Sequence, residues 1–286
     1  MNMIAQPERV TQQRVITLFR DELKYDYLGD WSDRDNNRPI EDGLLSNWLT
    51  RRGCSPAQIN AALYKLHTEV DNLSRTLYEN NQAVYQLLRY GIPVQTQVGQ
   101  NHETVHLIDW ADPEANDFAI AEEVTLRGGF ERRPDLVLYV NGIAVAVIEL
   151  KNSRVSIGDG IRQLLSNQLP MFNAWFFSTV QLVFAGNDSE GLQYGTIATP
   201  EKFFLKWKED EADDSRYKLD KYLLKMCRKD RLIELMRDFV LFDGGIKKVP
   251  RVHQYFGVKA AQAHTHERKG GIIWHTQGSG KSIVMV

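Results

Sequence analysis

Between Leu136 and Ile148 the chain is apolar at every position except the Asn141-Gly142 pair, so both alternating faces of each run are hydrophobic. A strand with one wet face alternates polar and apolar residues, so an unbroken apolar run predicts a strand covered on both sides. Asn-Gly between two such runs predicts a hairpin. Shorter apolar runs at 94–98, 105–108, 118–126, 181–185 and 193–197 predict further strands. Elsewhere the apolar spacing changes to three and four, predicting helices over 8–24, 41–51, 71–90 and 217–238. Ser55-Pro56-Ala57-Gln58 is a capping box with proline at the first helical position, and Gly91 before Pro93 closes the helix that starts at 71. A helix after the hairpin has Asp159 near its start as the expected cap. Helices, a strand meander, a helix and more strands predict an α/β fold.

The open end of the hairpin carries charge. Asp135 precedes one strand, and Glu149-Leu150-Lys151 ends the other. An ionised group beside a doubly covered strand is costly unless it is paired or bound to a metal. Residues two apart in a strand share a face, so Glu149 and Lys151 point the same way with the Leu150 carbonyl between them. Two carboxylates and a carbonyl form the hard oxygen set that Mg²⁺ takes at about 2.1 Å. Water made more acidic there attacks a phosphodiester, while the lysine steadies the nucleophile or the developing charge. The hairpin constrains this reading. A plain two-residue turn sets Val140 against Ile143 and leaves Asp135 and Glu149 on opposite faces. We therefore expect a three-residue connection, Val140 to Gly142 with a left-handed Gly142 bulge, or an equivalent irregularity.

A second motif lies at 270–282, where Gly-Gly-Ile-Ile-Trp274 runs into His275-Thr276-Gln277-Gly278-Ser279-Gly280-Lys281-Ser282. An apolar strand entering a glycine-rich turn that opens a helix presents backbone N–H groups to phosphates. Lys281 is expected to reach the terminal phosphates of a nucleotide and Ser282 its Mg²⁺. His275 stands where the strict Walker A spacing has its first glycine.

Pro134-Asp135 with Glu149-Leu150-Lys151 resembles the PD-(D/E)xK nuclease superfamily, and the glycine-rich turn resembles motif I of superfamily 2 helicases. Their order, with Leu107-Ile108-Asp109-Trp110, Asn116-Asp117-Phe118 and the approach to Trp274, resembles the restriction (motor) subunit of type I restriction-modification enzymes. The resemblance implies an α/β fold with a PD-(D/E)xK restriction-endonuclease-like core, a mixed sheet flanked by helices. It implies a helical N-terminal region (1–70), the nuclease core (71–205), a charged helical linker (206–239) and the start of a RecA-like helicase domain (240–286). Asp135, Glu149, Lys151 and Gln163 are then catalytic, with Asp135, Glu149 and the Leu150 carbonyl on Mg²⁺. Gln163 corresponds to the glutamine of a family Gln-x-x-x-Tyr pattern whose tyrosine is Asn167 here. Glu79 occupies a place where such folds sometimes add an acidic residue. Gln254 and residues Thr276 to Ser282 are expected to bind ATP with Mg²⁺, Gln254 reading the adenine edge. The implied partners are double-stranded DNA and the modification and specificity subunits, with cleavage coupled to ATP-driven translocation. Two other readings stay open: a non-catalytic docking fragment, and a repair nuclease fused to a helicase.

Composition adds limits. The 286 residues are 43% hydrophobic and carry a net charge of −2, so bulk electrostatics do not hold DNA. Local contacts are then expected from Arg127, Arg132, Arg133, Arg154 and Arg162, and from Lys247, Lys248, Arg251, Arg268 and Lys269. Cys54 and Cys227 form no motif, and no stretch reaches membrane-spanning length, so a cytoplasmic protein is expected.

Overall fold

The computed structural model describes residues 8–95, 99, 101–209 and 215–285. Helix α1 (Glu8–Asp21) is followed by strand β1 (Asp26–Asp30) and helices α2 (Asp42–Arg51), α3 (Pro56–Val70) and α4 (Leu77–Tyr90). Next come β2 (Ile92–Val94), β3 (Glu103–Val105), β4 (Phe118–Glu122), β5 (Leu136–Val140) and β6 (Ile143–Leu150). Helix α5 (Ile157–Asn167) leads to β7 (Leu182–Asn187), β8 (Gly191–Gly195) and β9 (Leu205–Lys206). Then follow α6 (Lys218–Met226), α7 (Lys229–Asp238), the hairpin β10 (Leu241–Asp243) and β11 (Ile246–Lys248), α8 (Val252–His266) and α9 (Lys281–Val284).

A seven-stranded mixed sheet, in the order β1-β4-β5-β6-β7-β8-β9, forms the centre. The pairs β1/β4 and β6/β7 are parallel and the others antiparallel. Helix α5 is the crossover that parallel pairing of β6 and β7 requires. Every residue of β4, β5, β6 and β7 is buried, as unbroken apolar runs demand. On one face Val137, Tyr139, Ala144 and Val147 meet Ile157, Ile161 and Leu164 of α5. On the other Leu136, Leu138, Val145 and Ile148 share a core with apolar residues of α1 to α4, α6 and α7. Full burial of each such aliphatic side chain contributes roughly 1.5–3 kcal/mol.

Several expected elements are corrected. The charged segment expected as a linker places Leu219, Leu223, Met226, Leu232 and Met236 in the main core, and it breaks into two helices at Cys227-Arg228. Its acidic residues 210–214 lie outside the described residues. The N-terminal helices belong to that same core, so among the described residues no separate apolar centre forms before residue 70. The helix expected from 71 begins at Leu77, because Thr76 and Glu79 form a second capping box. Strand β1 was not expected, since its short Asp-Tyr-Leu-Gly-Asp has too few apolar residues to show a period. The strand expected at 94–98 is β2, ending at Val94, and 96–98 lie outside the described residues. Residues 270–274 form no strand, and Ile272 and Trp274 are exposed. A strand gains its hydrogen bonds from neighbours, and none stands beside this segment among the described residues. No described helix is long and apolar enough to cross a membrane.

The hairpin turn is a plain two-residue one. Val140 pairs with Ile143, and Asn141 and Gly142 both adopt positive φ, 52° and 81°. Asn141 is buried because its amide binds the 107–117 loop, donating to Leu107 O and Asn116 Oδ1 and accepting from Asp117 N. Gly142 docks against α2, where an added Cβ would lie 2.7 Å from Leu44 Cβ and 2.9 Å from Glu41 O. Clash with backbone and a left-handed conformation add, so Gly142→Ala is expected to destabilise by roughly 2–4 kcal/mol. Urea unfolding should show a lower midpoint at an unchanged slope.

Candidate active site

The register of β5 and β6 changes within the ladder. Leu138 pairs with Ala146 but Tyr139 with Ala144, which leaves Val145 as the extra residue. The irregularity expected at the turn therefore sits at the third residue of β6. Hydrogen bonds hold it there: Thr179 Oγ1 donates to Ala144 O (2.6 Å) and Gln181 N to Val145 O (2.8 Å). The shift sets Leu136 against Ile148, and by continuation Asp135 against Glu149 on one face.

These groups meet at the end of the sheet. Asp135 Oδ2 accepts from Leu150 N at 2.6 Å. Lys151 Nζ donates to Glu149 Oε1 (2.7 Å) and to Leu150 O (2.9 Å). Glu149 is wholly buried, and its Oε2 has no hydrogen-bond partner among the described residues. Helix α5 approaches closely through Gly160, where a Cβ would stand 3.4 Å from Lys151 Cγ and 3.5 Å from Glu149 Cγ. Burial pushes the Asp135 carboxyl up to about 7. Burial, and then the neighbouring Asp135 charge, hold Glu149 well above the usual carboxylate range. Burial acts to lower the Lys151 ammonium, but Glu149, Asp135 and Glu8 together outweigh it and keep it raised.

One ammonium thus faces two buried carboxyls, one of them with an unpartnered oxygen. That deficit of positive charge fits a bound cation. Asp135, Glu149 and the Leu150 carbonyl are the oxygens available to it. Among the described residues no three His, Cys, Asp or Glu side chains converge as a metal-ligating group.

Glu8 is the residue the sequence reading missed. It opens α1 and places Oε1 3.6 Å from Lys151 Nζ. Only the fold of α1 onto the sheet brings it there: Gln12 Nε2 donates to Glu122 Oε2 (2.9 Å) and Glu123 Oε1 (3.0 Å), and Arg14 pairs with Asp188 and Asp220. Glu79, by contrast, is spent in its capping box with Thr76. Gln163 lies half-buried on α5, three residues beyond Gly160. Asn167, where the related pattern has tyrosine, is buried with neither side-chain polar atom partnered among the described residues. Ser156 caps α5, and Asp159 instead pairs with Arg162.

The basic residues are largely engaged by the protein itself. Arg127 pairs with Asp35 and Glu131, Arg133 with Glu123, and Arg162 with Glu201, while Arg132 stacks on Phe172. Lys247, expected in a surface cluster, is buried and donates to Asn81 Oδ1 and Gln181 Oε1, both at 2.7 Å. Burial holds its ammonium well below the ordinary lysine range.

The glycine-rich turn forms with Gly278 and Gly280 left-handed, and α9 opens at Lys281. Thr276, Gln277 and Ser282 are exposed, and the buried Ser279 hydroxyl is unpartnered among the described residues. Lys281 Nζ donates to His275 O (3.1 Å). Gln254, expected to face an adenine, donates to Ser279 O (3.1 Å) and Gly280 O (3.3 Å) and accepts from Arg251 N (2.8 Å). Its amide is committed to the loop and to the start of α8.

Comparison with known proteins follows this division. Residues 5–202 match the family model for the type I restriction enzyme R protein N terminus, and residues 253–286 match that for the SWI2/SNF2 ATPase. The HindI type I restriction enzyme endonuclease subunit of Haemophilus influenzae is 32% identical over 238 residues, covering 73% of this chain and 22% of that protein. The type I restriction enzyme SsaAORF53P endonuclease subunit of Staphylococcus saprophyticus is 25% identical over 174 residues, covering 59% and 18%. The chain therefore spans about a fifth of the length of these relatives.

The raised carboxyls have a consequence for stability in the absence of metal. A carboxyl whose folded pKa exceeds its unfolded value contributes stability that is fully present below the unfolded value, near 4, and lost as pH rises through the folded one. In chelator, the stability due to Asp135 should fall between about pH 4 and 7, and Asp135→Asn should flatten that part of the profile. Melting temperatures across this range measure it, and an unchanged profile in the variant would refute the assignment.

Proposed function

The chain belongs to the type I restriction enzyme R protein N-terminal family, and from that premise we propose that its carboxylate site is a Mg²⁺-dependent endonuclease centre of the PD-(D/E)xK type. The observation that carries this reading is the buried Glu149 Oε2 beside Asp135, unpartnered among the described residues, in a register set by the Val145 bulge. A divalent cation bound by Asp135, Glu149 and the Leu150 carbonyl supplies Lewis acidity toward the phosphodiester and makes nearby water more acidic.

The protein's own groups do the rest. The buried sheet end excludes bulk water from Glu149, which strengthens each charge interaction there. Asp135 is held in place by the Leu150 amide. Lys151, among the described residues the one cationic side chain bonded to these oxygens, is placed to steady the attacking oxygen or the charge that builds on the phosphate. Gln163, a turn along α5 from Gly160, faces DNA or orients a reacting group.

The substrate in this reading is double-stranded DNA, delivered by modification and specificity subunits. The glycine-rich loop begins a superfamily 2 ATPase, with backbone N–H groups and Lys281 for the ATP phosphates and Ser282 for their Mg²⁺. Translocation by that motor would then be coupled to cleavage.

Calorimetric titration with Mg²⁺ and Mn²⁺, with and without a short duplex, tests the site. Wild type should bind, Asp135→Ala and Glu149→Ala should not, and cleavage by either variant should fall by at least ~100-fold. If wild type binds metal no better than the variants even with DNA present, the nuclease reading fails and a docking fragment takes its place.

A further inference from the structure

We propose that Glu8 is a positioning residue that acts through Lys151, taking its ammonium when a divalent cation binds Glu149 and the Leu150 carbonyl. This inference rests on the metal-dependent reading above and concerns how the same site changes between its two states.

Lys151 Nζ now bonds the same carboxylate and carbonyl that would hold the cation, Glu149 through Oε1 and Leu150 through its carbonyl oxygen, at 2.7 and 2.9 Å. An ammonium and a divalent ion held on one carboxylate and one carbonyl repel strongly in a site with little water. The ammonium must move, and its side chain is mostly buried, with 12% exposure, so it needs a new carboxylate within reach. Glu8 offers one. Its Oε1 already lies 3.6 Å from Lys151 Nζ, beyond hydrogen-bond range yet within an ion pair. It makes no other ion pair or hydrogen bond among the described residues.

Charge balance favours the same exchange. With the ammonium on Glu8, the two buried carboxylates face a divalent ion and the lysine faces a single carboxylate, so each group is neutral. Glu8 itself fits a direct metal ligand poorly: its side chain is 39% exposed, whereas Glu149 has none, and among the described residues no three carboxylates converge as a metal-ligating group. Its helix is held in place, since Thr11, Gln12 and Arg14 bond to the β7–β8 turn, to β4 and to α6. Glu8 therefore fixes where the lysine goes, beside the metal rather than away from the site.

A double-mutant cycle on metal affinity tests this, with Mn²⁺ as the probe and the 286-residue chain as the protein. Glu8→Gln should weaken Mn²⁺ binding about tenfold in the wild-type background. Lys151→Met should tighten it, and adding Glu8→Gln to Lys151→Met should change affinity by less than about twofold. Equal weakening in both backgrounds would make Glu8 a ligand and overturn the proposal, as would no effect of Glu8→Gln alone. Should Lys151→Met fail to fold by circular dichroism, Lys151→Gln completes the cycle. If wild type binds no Mn²⁺, or Asp135→Ala binds it equally well, the metal-site reading itself is wrong; a cycle that fails while Asp135→Ala abolishes binding removes only the role of Glu8.

Discussion

The extra residue at Val145 governs the rest of the site. Without it the two-residue turn at Asn141-Gly142 would propagate a register in which Asp135 faces Ile148. The carboxylates would then lie on opposite faces of the sheet, one over α5 and one over the N-terminal helices. Shifting the ladder by one residue while keeping both faces apolar requires small side chains near the bulge and partners for the displaced carbonyls. Ala144 and Ala146 supply the first, and Thr179 with Gln181 the second. The loop before β7 thus sets which side chains meet at the far end of β6.

Electrostatics explains why the surrounding elements pack as they do. Two buried carboxyls side by side are unstable as anions, and Lys151 offsets only part of that. Ion pairs and amide bonds on α1 draw that helix toward the sheet end, with Gln12 on Glu122 and Glu123 and Arg14 on Asp188 and Asp220. These contacts bring a third carboxylate, Glu8, to the edge of the site. The arrangement joins the first helix, the hairpin and the β7–β8 turn through charge rather than apolar contact alone.

A second set of polar contacts ties the glycine-rich loop to this core. Tyr194 donates to Pro250 O just before α8, Lys247 anchors β11 to α4 and the start of β7, and Gln254 grips the loop itself. Buried polar groups of this kind are costly when unpaired, so they specify one docking geometry. Lys247 illustrates the limit of reading charge from sequence. A lysine beside other basic residues suggests a wet surface, yet its partners are amides that lie more than sixty positions away.

Local rules were enough for much of the molecule. The doubly covered hairpin, the capping box at Ser55, the stop at Gly91 and the glycine turn before Lys281 all follow from patterns within a few residues, and each is present in the structure. The placing of Asp135 and Glu149 on one face was also legible, because the joint role expected of them called for a bulge somewhere in the hairpin. Its position was not, since that depends on hydrogen bonds from Thr179 and Gln181, distant in sequence. The same holds for Glu8, an ordinary first-turn acid until α1 folds onto the sheet, and for the 217–238 segment, whose charged exterior hid the apolar stripe that enters the core. By itself the sequence determined the buried hairpin, the capped helix starts and the glycine turn, and singled out the side chains that are candidates for chemistry, because these depend on neighbours along the chain. Only the tertiary structure decided the register, the third carboxylate and the docking of the loop, because burial and charge pairing act between residues that folding alone brings together.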